Sequence, residues 1–273
     1  MFQVEAKKTR SRTIFGMLEL VYHATVREVR KDHRNAFVGL FLNMMQTVIF
    51  VMTFFLLFAL LGMRGAAIRG DFLLYIMSGI FLFLTHTKAM GAVVGSEGPA
   101  SPMMQHAPMN TAISITAAAL ASLYLQTLSL VFVLFIYHVA FVPVVIENMP
   151  AAYGMVLLSW ISGVGVGMMF LAIKPWAPDF ATIGSSIYAR ANMIASGKMF
   201  VANSLPSSML VLFDWNPLFH TIDQARGFIF LHYNPHFSSV SYPLYLTAAL
   251  IMIGLMAEFY TRKNASLSWS AGR

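Results

Sequence analysis

From Phe37 to Leu61 the chain runs without one charged side chain, and it does something similar five more times. A hydrocarbon core about 30 Å thick takes about 20 helical residues to cross, and in lipid every backbone N–H and C=O must be satisfied within the segment. Stretches of that length with few charges therefore read as transmembrane helices. Six qualify: residues 37–61, 72–94, 112–139, 152–173, 180–203 and 240–260. The third is the longest and has room to tilt. Composition agrees, with 58% hydrophobic and 11% charged residues against about 25% charged in a soluble domain. With Cys 0, a disulfide-stapled secreted fold and a thiolate metal site are both excluded. The expectation is an all-α integral membrane protein with six transmembrane helices.

The net charge of +7 is informative mainly through its placement. Lys7, Lys8, Arg10, Arg12, Arg27, Arg30, Lys31 and Arg34 precede the first span, and no short apolar stretch with a small-residue cleavage site follows the first of them. A cytosolic N-terminus is expected, and six spans return the C-terminus to the same side. Lys174, Arg262, Lys263 and Arg273 join that side, whereas only Arg64, Arg69 and Arg226 fall on the other. The bias follows the positive-inside rule and needs no nucleic-acid partner.

Before the membrane, residues 13–34 place Ile14, Leu18, Val21, Tyr22, Thr25 and Val29 at helical spacing, with basic residues around the wheel and at the C-terminal end. This predicts an amphipathic helix on the inner leaflet, or one packed on a partner or on the underside of the bundle. The organisation is then a cytosolic segment (1–35), a six-span domain (36–260) and a cytosolic tail (261–273).

Two connections differ from simple loops. Residues 95–110 carry three prolines and neither Lys nor Arg, so a short helix over Pro102, Met103, Met104, Gln105 and His106 is the most they can hold. That neutrality suits a surface covered by another protein, with methionine side chains to fill a groove, or else a plain loop. Residues 205–239 are apolar and aromatic but too broken to span. Asn216-Pro217 reads as an N-cap followed by proline at the first helical position, starting a helix to about residue 231 before Asn234-Pro235 turns the chain. A pair of short helices dipping into the outer leaflet is expected.

Enzyme signatures are missing. Ser196-Gly197-Lys198-Met199 lacks the upstream glycine and following hydroxyl of a phosphate-binding loop, so the chain is not expected to hydrolyse ATP itself. His232 and His236 are four apart, but Pro235 lies between them and no metal site is expected. The functional candidates are the intramembrane cations Lys88, Arg190 and Lys198. Lys88 can snorkel toward the inner headgroups, Lys198 lies near the outer face, and Arg190 sits near mid-depth, where it should face protein, water or a second subunit. Ser159, Ser162, Gly163, Gly165 and Gly167 allow close helix approach in the fourth span.

With this layout, the chain resembles the membrane subunit of a type 2 ABC exporter, most closely the capsular polysaccharide export permeases of Gram-negative bacteria. The resemblance is carried by Val26-Arg27-Glu28-Val29 with Arg34, Phe37 and Gly39; by Ala107-Pro108-Met109; by Ser196-Gly197 and Leu205-Pro206; and above all by Trp215-Asn216-Pro217-Leu218-Phe219-His220 with Arg226 beyond it. The ending Tyr260-Thr261-Arg262-Lys263-Asn264 is similar too. Two positions depart: Phe41-Leu42-Asn43-Met44-Met45 replaces a frequent Trp and Pro, and Lys198 stands where an aliphatic residue is common.

The resemblance implies a homodimer in the bacterial inner membrane bound to two cytosolic ABC ATPase subunits, which would hold ATP and Mg while this chain binds no cofactor. It also implies a periplasmic polysaccharide co-polymerase and an outer-membrane exporter as partners, and a lipid-linked glycan as substrate. The Pro102 to His106 segment would be the coupling helix. Pro206, Trp215, Asn216, Pro217, His220, Arg226 and Tyr233 would belong to an outer gate, and Lys88, Tyr188, Arg190 and Lys198 to the translocation path. Alternatives are a permease for O-antigen, a teichoic-acid-like polymer, a lipid or a drug, or a membrane enzyme or scaffold in glycan assembly.

Overall fold

The structure is a computed structural model and describes residues 10–31, 36–62, 68–98 and 111–264. Among these the chain forms nine α-helices, one short 3₁₀ turn at Ala202–Ser204 and no strand. The helices are α1 (Arg10–Arg30), α2 (Ala36–Leu60), α3 (Phe72–Val94), α4 (Thr111–Ala140), α5 (Met149–Ile173), α6 (Pro178–Ala195), α7 (Ser207–Phe213), α8 (Pro217–Ile229) and α9 (Ser241–Asn264). Their starts follow local chemistry. Asp71 caps α3 by accepting the Leu74 N–H at 2.9 Å, and Asn148 caps α5 by accepting that of Ala151 at 3.1 Å, just after Pro150. Five helices, α2, α3, α4, α5 and α9, are long and apolar enough to cross a membrane.

The centre of the bundle is the α3–α5 pair, and small residues decide how closely it packs. A Cβ on Gly163 would lie 2.3 Å from the His86 carbonyl oxygen, and one on Gly167 would lie 2.9 Å from that of Met90. Gly165 faces Leu250 of α9 instead. The glycines of α5 thus bring two partners into near-backbone contact from different sides, as their spacing suggested. Hydroxyls add specific bonds: Ser159 donates to the Leu82 carbonyl at 2.8 Å. Helices α2 and α9 lie outside and expose Phe37, Phe41, Leu56, Met252 and Met256, an apolar exterior suited to hydrocarbon contact.

Contacts at the two ends fix the alternation of the long helices. At one end Lys174 Nζ donates to the Val94 carbonyl at 2.9 Å, Lys31 Nζ to that of Gly95 at 3.4 Å, and Thr261 Oγ1 to that of Ala172 at 3.1 Å. Trp176 Nε1 donates to Thr261 Oγ1 at 3.1 Å. The last turns of α1, α3, α5 and α9 and the approach to α6 are therefore level, together with Arg262 and Lys263. At the other end the Tyr137 hydroxyl bonds Asp71, and the Asn148 N–H bonds the Phe228 carbonyl at 2.9 Å.

Three expectations shift. Residues 180–203 do not form one span: α6 stops at Ala195, the Ser196 N–H bonds the Asn192 carbonyl, and Gly197 turns the chain at φ +76°. Any side chain at Gly197 would be strained there, and a Cβ would strike Phe219 Cδ2 at 2.8 Å. The turn instead presses on Gly79, where a Cβ would lie 2.8 Å from Lys198 Cα. Gly79 is about 10 Å along α3 from Phe72 at 1.5 Å per residue, so the track of α6 ends short of the Asp71 end. Secondly, α8 ends at Ile229 rather than near residue 231, because Phe230 turns extended and buries its ring against Gly70. Thirdly, α1 covers Arg10–Arg30 and packs Leu20, Val21 and Ala24 against Ile113 and Ala117 of α4. Leu18 and Tyr22, also on the apolar stripe of α1, are exposed beside Phe15.

Candidate functional site

The sequence candidates fall into separate settings. Lys88 stands on α3 beside two cavities of about 490 and 360 Å³. Its ammonium donates to the side-chain carbonyls of Asn43 and, at 2.7 Å, Gln46, both on α2. Asn43 in turn donates to Ser129 Oγ at 2.7 Å, and Gln126 Nε2 donates to Asn43 Oδ1 at 3.3 Å. Snorkelling was the expectation for Lys88; neutral amide oxygens at the same depth hold it within the bundle instead. Asn43 and Gln46 of α2 supply those oxygens, and a polar pair inside an uncharged run was the signal available.

Arg190 lies on the exposed side of α6 with Asp179, Thr182 and Ser186. Thr182 and Ser186 return their hydroxyls to backbone carbonyls one turn back. The spacing of these four residues makes a polar stripe along one side of the helix. Beside it, Phe180, Ile183, Ile187 and Ile194 are also exposed. Tyr188, on a different side of the helix, is half-buried and reaches the core: its hydroxyl lies 3.1 Å from His86 Nε2, while His86 Nδ1 lies 2.9 Å from Ser162 Oγ and 3.2 Å from the Ser159 carbonyl. Sequence reading left His86 unassigned, and its place in this network comes from the close approach at Gly163, which no local pattern encodes.

Lys198 shares no surface with these. It is 2% exposed, and its ammonium lies 3.7 Å from the centre of the Phe83 ring, 4.5 Å from Phe54 and 4.9 Å from Phe50, with no hydrogen-bond acceptor. Three ring faces stabilise a cation electrostatically and replace part of its lost hydration. Lys198 thus anchors the turn between α6 and α7 on α2 and α3, away from the surface.

The outer-gate candidates form a second polar network, built from α8. Asn216 caps α8 by accepting the Leu218 N–H at 3.0 Å and donates to Asn192 Oδ1 at 2.8 Å and to the Ala195 carbonyl at 3.0 Å. One residue so joins the end of α6 to the start of α8, with Pro217 at the first turn. Arg226, 1% exposed, donates to the carbonyls of Gly197 at 2.9 Å, Lys198 at 2.8 Å and Phe200 at 2.6 Å, and its guanidinium lies 4.2 Å from the centre of the Tyr75 ring. Buried Asp223 accepts from the Tyr233 hydroxyl and, at 2.6 Å, from Ser238 Oγ. Burial first, and then Asp223, push the Tyr233 phenol well above the ordinary range, so it remains a donor. His220 Nε2 donates to the Asp214 carbonyl at 2.7 Å while Nδ1 accepts the Ser239 N–H at 3.1 Å, which fixes the neutral tautomer with its proton on Nε2.

Two candidates stay outside this network. Pro206 and Trp215 flank α7 and are exposed, as are Met209, Val211 and Leu212 between them. Residues 102–106, expected as the coupling segment, lie outside the described residues. So does Arg64. Among the described residues no group of three or more His, Cys, Asp or Glu could hold a metal. No family model matches the chain, and no curated protein matches it significantly.

Proposed function

We propose that the chain is the membrane subunit of an ATP-driven ABC exporter for a capsular or other lipid-linked polysaccharide, working as a homodimer with two cytosolic ATPase subunits. The observation that supports this most is the exposed stripe Asp179, Thr182, Ser186 and Arg190 on α6. A guanidinium at membrane depth is costly against lipid, so a helix that turns Arg190 outward calls for water or a second copy there. A path between two protomers supplies both, and an anionic polymer would find favourable charge along it.

In this reading α6 is the fifth, shortened span, and the α7–α8 segment completes its outer side as a gate. The basic end carrying Lys31, Lys174, Arg262 and Lys263 faces the cytosol of a bacterial cell, with both termini there. Helix α1 lies at the inner leaflet with Phe15, Leu18 and Tyr22 toward lipid, and residues 102–106 dock in the ATPase. Periplasmic and outer-membrane export components receive the polymer.

The natural chain has Cys 0, which makes a direct test available. Ser186→Cys, in the dimer with its ATPase, should react with a membrane-impermeant thiol reagent, because only a wet site lets the thiolate form. Leu56→Cys on α2 should not. An unreactive Ser186→Cys in the assembled complex would remove the path from α6.

A further inference from the structure

Lys88 carries a charge that its surroundings do not neutralise. Its two hydrogen-bond partners, Asn43 and Gln46, are neutral amides, and an ammonium has three donors. Among the described residues no carboxylate approaches it within ion-pair distance. The nearest acid lining the same cavity is Glu28, which is already engaged by Lys31 at 3.4 Å and Arg27 at 3.7 Å. The cavity of about 490 Å³ is an open cleft bordered by α1, α2, α3 and α4 and lined by Gln126, Ser122, Thr87 and Lys31 as well as Lys88. Its size is that of a small-molecule site, roughly 300–1,000 Å³. Lys31, whose ammonium bonds the Gly95 carbonyl, places its mouth at the basic end of the bundle.

We infer that this cavity binds a phosphate group, with Lys88 as its point-charge partner and the Gln126 amide, which spends one N–H on Asn43, as a further donor. Lysine suits phosphate because its charge is compact and its donors rotate. Lys88 lies six residues from the end of α3, about 9 Å below it. That depth favours the headgroup phosphate of a lipid entering from the adjoining leaflet, and a free phosphate ion would use the same contacts. For why such a lipid would be brought there the inference rests on the exporter reading, since a lipid-linked glycan carries a phosphate at its anchor. The binding itself needs no transport.

The test uses the full chain in neutral detergent with dioleoyl phosphatidic acid, dioleoyl phosphatidylcholine and inorganic phosphate as separate probes, read by native mass spectrometry and thermal shift. Phosphatidic acid should be retained in preference to phosphatidylcholine. Lys88→Met should weaken that retention about ten-fold or more, the size of one charge-assisted contact, while Lys88→Arg should keep most of it and Lys174→Met should leave it unchanged. Competition by inorganic phosphate would show that phosphate alone is the ligand. No competition with the lipid preference intact would assign the site to lipid. Should Lys88→Met not accumulate, hydrogen exchange on the natural chain decides: phosphatidic acid, and not phosphatidylcholine, should protect the backbone around Gly91 and Ser122. Equal retention of both lipids by the natural chain, or an unchanged preference in Lys88→Met, overturns the site whatever the cargo is. A Lys88-dependent lipid preference in a protein whose deletion leaves glycan export intact would keep the site and overturn the exporter reading alone.

Discussion

Replacing Arg226 by methionine tests whether the turn after α6 is held from α8. Methionine fills much of the same space but cannot donate. Three carbonyls lose a charge-assisted donor. That of Gly197 keeps the weak bond from the Phe200 N–H at 3.4 Å, so two carbonyls, the buried one of Lys198 and the half-buried one of Phe200, are orphaned. Each orphan costs about 1–3 kcal/mol, and loss of the Tyr75 ring contact adds about 1 kcal/mol. Against this, the substitution removes a guanidinium whose Nε has no partner, a relief of about 1–3 kcal/mol. The net is a local destabilisation of about 3 kcal/mol, or roughly a hundred-fold in the opening equilibrium of residues 197–201. Hydrogen exchange on peptides covering those residues reads this directly, with peptides from the α3–α5 core as the internal standard. Lysine at 226 keeps the charge but not the fork, so it should fall between the two. If exchange at residues 197–201 is unchanged in Arg226→Met, Arg226 does not hold the turn and the reasoning is refuted.

Other substitutions separate packing from transport. Gly163→Ala should force α3 and α5 apart at His86, costing about 1–3 kcal/mol or more and lowering folded abundance, whereas Gly154→Ala, where a Cβ meets nothing within 4 Å, should be neutral. Lys198→Glu would point a carboxylate at three negative ring faces and should abolish accumulation, while Lys198→Met should fold about as well as the natural chain. Arg190→Ala removes an exposed side chain and should change stability by less than about 0.5 kcal/mol, yet lower export strongly. Equal loss of export and abundance would make Arg190 structural.

Hydropathy made the α2, α3, α4, α5 and α9 spans legible because apolar length is a direct consequence of bilayer thickness. Local punctuation did equally well at Asn216-Pro217, where an N-cap and a proline at the first turn do not depend on the rest of the fold. The end of α6 was misread because hydropathy does not see a turn made by one glycine. Gly197 is apolar enough to prolong a span, and Lys198 read only as a cation near the outer face, because its cage is assembled from Phe50, Phe54 and Phe83 on two other helices. The end of α8 was lost for a similar reason. Phe230 continues the helical pattern, but Gly70, some 160 residues earlier, leaves the space that draws its ring away.

The candidate site shows the same division. Residue type and depth were enough to single out Lys88 and Arg190, since ionisable groups are scarce in spans. Their directions depend on tertiary partners: Lys88 turns inward to Asn43 and Gln46, and Arg190 turns outward with Thr182 and Ser186. Arg226 was assigned to a gate by resemblance, and the structure gives it the mechanical part of binding three carbonyls of one turn.

The central claim, that the chain exports a glycan made inside the cell, is tested most directly by deleting its gene in the cell that makes the polymer and locating the polymer by fractionation. The account predicts full-length, lipid-linked glycan accumulating in the cytosolic and inner-membrane fractions and absent from the cell surface, restored by the natural chain and not by Arg190→Ala. Loss of polymer synthesis with no accumulated intermediate would contradict it and make the chain part of glycan assembly.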